Sequence, residues 1–111
     1  VASISNLFVD QGSDYINVVT VESATGTPLD LTGYTAKSQI RKSYTSSISY
    51  EFTASIPNPL TGEVLISLSS TDSEEIPPGR YLYDVEITSS LNIKTRVVEG
   101  IVTVTPQITQ V

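Results

Sequence analysis

Along most of the chain apolar and polar side chains alternate with a period of two, the repeat of a strand with one covered face and one wet face. In residues 47–56 every even position is apolar (Ile48, Tyr50, Phe52, Ala54, Ile56) and every odd one polar. Tyr81, Tyr83, Val85 and Ile87 interleave with Arg80, Leu82, Asp84, Glu86 and Thr88, and Val64, Ile66 and Leu68 with Glu63 and Ser67. Residues 34–41 repeat the pattern more weakly, with Tyr34, Ala36, Ser38 and Ile40 against Thr35, Lys37, Gln39 and Arg41. Residues 15–22 and 96–105 are more continuously apolar, which predicts central strands. The short, Ser-rich segment 4–9 predicts an edge strand. The tally is about seven strands.

Turn chemistry separates these runs. Residues 10–13, 25–28, 57–62 and 89–92 each cluster Gly, Pro, Asn, Asp, Ser or Thr, which set turn dihedrals or bond their own backbone. Only Thr71-Asp72-Ser73-Glu74 resembles a helix start, a Thr-x-x-Glu capping box, and Pro77-Pro78 stops it after about one turn. Short strands at this spacing, with no helical segment of ten or more residues, predict an all-β fold. The architecture expected is a two-layer antiparallel β-sandwich, immunoglobulin- or fibronectin-like, forming a single domain over residues 1–111.

Composition agrees with that prediction. Val (12), Ile (11) and Thr (14) fill one-third of the 111 positions, and β-branched side chains fit a pleated sheet better than a helix. The balance of 6 Lys+Arg against 12 Asp+Glu argues against a nucleic-acid backbone or an anionic membrane as partner, because such affinity comes from clustered cations. No apolar run approaches the roughly 18–20 residues that span a bilayer as a helix. His and Cys are both absent, which removes the usual acid–base catalyst, thiol chemistry and most metal-ligand sets. The expectation is a non-enzyme with no catalytic residues, no cofactor and no metal.

Three constellations stand out. Residues 76–85 read as a turn of helix, a Pro-Gly corner and a Tyr two residues into a strand, the way sandwich folds cross between sheets. Tyr81 is then the corner tyrosine whose hydroxyl bonds back to the corner backbone, Tyr83 is a core ring, and Gly79 holds a positive φ. Arg41, Lys42 and Tyr44, with Tyr50 at the far side of a Ser-rich hairpin, form the one clustered positive charge beside aromatic rings, a candidate interaction surface. Asp10, Gly12 and Asp14 share a loop, but their spacing does not match a calcium-binding EF-hand, and turn-capping aspartates are the expectation. Asp84 and Glu86 belong to an outward strand face, unlike carboxylates paired in a catalytic cleft.

The segment Gly26-Thr27-Pro28-Leu29-Asp30-Leu31-Thr32-Gly33-Tyr34-Thr35 resembles a signature of small sandwich domains in tailed-phage virion proteins, the amino-terminal domain of upper baseplate proteins among them. Residues 62–69, Pro78-Gly79-Arg80-Tyr81 and the ending from Val98 to Thr109, with Gly100 before the last strand and Pro106 after it, continue the likeness in order. The resemblance implies a virion location (baseplate, tail, neck or capsid surface, including capsid decoration). It also implies binding to other virion proteins within a homo-oligomeric assembly. A carbohydrate-binding or host-adhesion module using Arg41, Tyr44 and Tyr50 is the alternative, with a glycan as its ligand.

Overall fold

The computed structural model describes residues 3–23 and 25–108. Its strands are β1 (Ser3–Ile4), β2 (Leu7–Asp10), β3 (Tyr15–Thr20), β4 (Thr35–Arg41), β5 (Ser49–Ser55), β6 (Glu63–Leu68), β7 (Gly79–Thr88) and β8 (Lys94–Thr105). One short helix, α1 (Ser70–Glu74), and a 3₁₀ turn at Pro59–Thr61 complete the elements. The fold is all-β, as the alternation predicts, with the strands joined in the order β1-β8-β7-β4-β5-β6-β3 and β2 also lying against β8.

This sheet is mixed and curled. Against the expectation of an antiparallel arrangement throughout, β1 and β2 run parallel to β8, while β3 to β8 pair antiparallel. The curl comes from β5, whose first half, to Phe52, pairs with β4 and whose second half, Thr53 to Ser55, pairs with β6. The covered faces meet in one core holding Val9, Ile40, Phe52, Ile66, Val85 and Val102 among others. Tyr15 on β3, Phe52 on β5 and Tyr83 on β7 form an aromatic row across it, with ring centroids 5.9 and 6.0 Å apart.

Three further sequence expectations need correction. Residues 15–22 do not form a central strand: β3 is an edge strand bonded only to β6, and Ile16 is 67% exposed. The apolar run there reflects β-branched residues on both faces rather than burial on both. The amino-terminal edge strand is broken in two at Ser5-Asn6. At the break, a Cβ on Gly100 would sit 2.1 Å from the Ser5 carbonyl oxygen, so only glycine lets the two backbones approach. The Asn6 side chain accepts from Ile101 N–H at 3.1 Å, and the Tyr83 hydroxyl donates to the Ser5 carbonyl at 2.6 Å, so the kink satisfies its polar groups.

The third correction concerns the helix start. The cap of α1 is Ser69, whose hydroxyl accepts from Asp72 N–H, and Thr71 lies inside the helix. The residues before β3 anchor that helix. Ser73, fully buried, donates to the Ser13 carbonyl at 2.8 Å, while Asp14 accepts from Ser70 N–H at 2.7 Å. Asp10 accepts from the Thr105 hydroxyl. Both loop aspartates therefore tie the loop to distant segments of the chain, and no group of three or more potential metal ligands converges among the described residues.

Candidate interaction face

The antiparallel registers of β4, β7 and β8 place outward residues in rows. Arg41, Leu82 and Ile101 form one row, Gln39, Asp84 and Glu99 the next, and Lys37, Glu86 and Arg96 a third. On the parallel edge, Ile4 of β1 extends the second row beside Glu99. A wet sheet face ordinarily alternates to polar residues here. Instead Leu82 and Ile101 pair directly across the ladder, with Ile4 (77% exposed) on one side and Tyr44 (76% exposed) on the other. These side chains border an open depression of about 460 Å³. The connection after β4 forms one wall of it, and Ile4 and Asn6 form the opposite wall.

Charge is distributed unevenly around this apolar floor. The Arg41 guanidinium donates to the Ser46 carbonyl at 2.6 Å and to Gln39 Oε1 at 2.9 Å, both neutral acceptors. The ion pairs among the described residues are Lys37–Glu51, Arg96–Asp84 and Arg96–Glu99, and Arg41 joins none of them. At the other end one guanidinium serves several carboxylates: Arg96 lies 3.1 Å from Asp84 and 3.4 Å from Glu99, with Glu86 close by in register. Burial pushes the Asp84 carboxyl above its ordinary value; Arg96 opposes the rise, and Glu86 and Glu99 add to it. The depression is thus positive at Arg41 and negative at Asp84–Glu99.

The four residues of the expected interaction surface divide between two faces. Arg41 and Tyr44 line the depression. Lys42 turns the other way, its ammonium 4.8 Å from the centre of the Tyr81 ring, and Tyr50 packs edge-on against that same ring at 6.2 Å. For Tyr50 the reason is the pleat, because neighbours in a strand point to opposite faces, while Lys42 lies in the bend just past the end of β4. Tyr50 is an even position of β5, on the side of Phe52, and is half-buried against the core. The residues that sequence reading missed are Leu82, Ile101 and Ile4. Their signal was an apolar side chain at an outward position, visible for Leu82 within the series Arg80, Leu82, Asp84, Glu86.

Of the expected corner residues, Gly79 and Tyr81 lie outside the depression, whereas Tyr83 is among the residues that line it. Tyr81 donates from its hydroxyl to the Pro77 carbonyl four residues upstream. Gly79 has φ +146°, a conformation L side chains rarely adopt. A second hollow, about 620 Å³, opens where β5 leaves β4 and is rimmed by Lys37, Glu51, Asp72 and Glu75.

No protein-family model matches the chain, and no curated protein matches it. Among solved structures it is similar to the Listeria monocytogenes internalin-like protein lmo2027, at 16% identity and a TM-score of 0.49 over 94% of this chain. The match spans 28% of that protein's chain.

Proposed function

We propose that this chain is a non-enzymatic structural module of a tailed-phage virion, an immunoglobulin-like sandwich that acts through contacts with other virion proteins. The observation that carries the protein-contact reading is the Leu82–Ile101 pair, flanked by Ile4 and Tyr44, on a sheet face that water alone would select to be polar. The ordered likeness from Gly26 through Asp30-Leu31-Thr32-Gly33-Tyr34 to Thr105-Pro106 supports the virion assignment. The curl through β5 and the Tyr81 hydroxyl on the corner backbone support the sandwich assignment. Its place within the particle is the baseplate, tail, neck or capsid surface.

Tailed particles purified by density gradient from the organism that encodes the chain are expected to contain it in a fixed ratio to the major structural proteins. Quantitative mass spectrometry of those particles checks this, and gradient-pure particles without the chain overturn it.

A further inference from the structure

We infer that the depressed face of β1, β8, β7 and β4 docks a second copy of this chain about a twofold axis. The argument is charge complementarity on an apolar floor. Among the described residues Arg41, at one end, has no carboxylate partner, while at the other end Asp84 and Glu99 share Arg96 and Glu86 lies opposite it in register. A face with opposite charges at its two ends is self-complementary when rotated by a half-turn, because each positive end then meets a negative one. The same rotation brings the two Leu82–Ile101 pairs together and covers Ile4 and Tyr44, the side chains that water leaves bare. Chains with a formal charge of −6 repel one another at long range, so the contact depends on this local pairing rather than on net charge.

Size sets the strength. Four strands at about 4.8 Å spacing and six residues at about 3.3 Å rise give a face roughly 20 Å on a side. That is below the roughly 800 Å² per partner of a standard stable interface, so the isolated chain dimerises weakly, with a dissociation constant of about 10 µM or above. In an assembly, neighbouring contacts raise the effective concentration. The inference deepens the assembly reading by naming a surface and a partner.

Sedimentation velocity on the whole chain from about 5 to 500 µM, at physiological salt, tests it. The wild type is expected to shift from monomer to dimer across that range. Arg41→Glu alone and Glu99→Lys alone are each expected to remain monomeric, since each sets like charges against each other at both ends. Mixed one to one, these two variants restore both opposite-charge contacts and are expected to dimerise within about threefold of the wild type. Circular dichroism melts confirm that each variant is folded. A wild type that stays monomeric at 500 µM, or a dimer unmoved by either variant, or a mixture that fails to recover, overturns the inference. Virions that contain the chain while any of these failures occurs overturn this inference alone, and virions lacking it overturn the assembly reading alone.

Discussion

At the scale of single residues, Tyr83 combines two roles that substitution separates. Its ring belongs to the aromatic row beside Phe52, and its hydroxyl holds the Ser5 carbonyl at the break between β1 and β2. Tyr83→Phe keeps the ring and is expected to cost about 1 kcal/mol, the worth of one hydrogen bond. Tyr83→Ala removes both and is expected to cost about 3–5 kcal/mol. Urea denaturation of the pair reads the difference, and equal losses would mean that the hydroxyl carries the whole effect. Asp84 makes a different kind of prediction. Burial raises its carboxyl above the ordinary 3.8, so in the folded chain it keeps its proton to higher pH than in the unfolded one. The native state then binds more protons between those two values, and stability falls as pH rises through that window. The contribution is fully present below 3.8 and gone above the raised value. Subtracting the stability-against-pH curve of Asp84→Asn from that of the wild type isolates this group from Asp30 and Glu51, whose carboxyls shift the opposite way because hydrogen bonds favour their charged forms. The difference is expected to decline with rising pH, and a flat or climbing curve would contradict it.

At the scale of elements, the strands whose alternation is strict were legible and those that depend on distant partners were not. β5, β6 and β7 lie within the runs that period-two reading marks, because each has one face on the core and one in water. β8 is central as expected, with β7 on one side and β1 and β2 on the other. β3 misleads because Ile16 and Val18 are apolar without being covered, and nothing local distinguishes an uncovered valine from a buried one. The break at Ser5-Asn6 depends on Gly100, some 95 residues away, and no local window contains both. Of the candidate interaction residues, Arg41 and Tyr44 border the depression, while strand parity, readable from the sequence itself, already assigned Tyr50 to the covered side. Gly100 tests how the elements depend on each other. Gly100→Ala drives a methyl into the Ser5 carbonyl, which is backbone and cannot swing aside, so β1 must lift off β8. The expected loss is about 1–3 kcal/mol, with amide hydrogen exchange accelerated at Ser5 N–H, which donates to the Glu99 carbonyl. Unchanged exchange there would show that the strand break absorbs the methyl.

At the scale of the molecule, the shared strand β5 decides how the chain unfolds. The molecule's principal-axis extents are 44 × 28 × 22 Å, an elongated shape in which two structurally distinct ladders would have room to melt separately. Here they cannot do so without cutting β5, whose two halves hydrogen-bond to different neighbours within seven residues. Phe52 sits at the handover, paired with Ser38 of β4, with the Tyr15 ring tilted against it on one side and the Tyr83 ring edge-on on the other. Removing its ring therefore loosens both ladders at once. Phe52→Ala is expected to cost about 3–5 kcal/mol while leaving a single transition. Near-ultraviolet circular dichroism, which follows the tyrosines, and far-ultraviolet circular dichroism, which follows the strands, should still report the same midpoint, the mark of all-or-none unfolding. If the near-ultraviolet signal were lost at lower temperature than the far-ultraviolet one, β3 and β6 would be separable from the rest, and the sheet would have to be regarded as two units joined by a strand. The parallel pairing of β2 with β8 argues against that separation, since Leu7 and Val9 bury into the core from the chain's other end and close the structure around it.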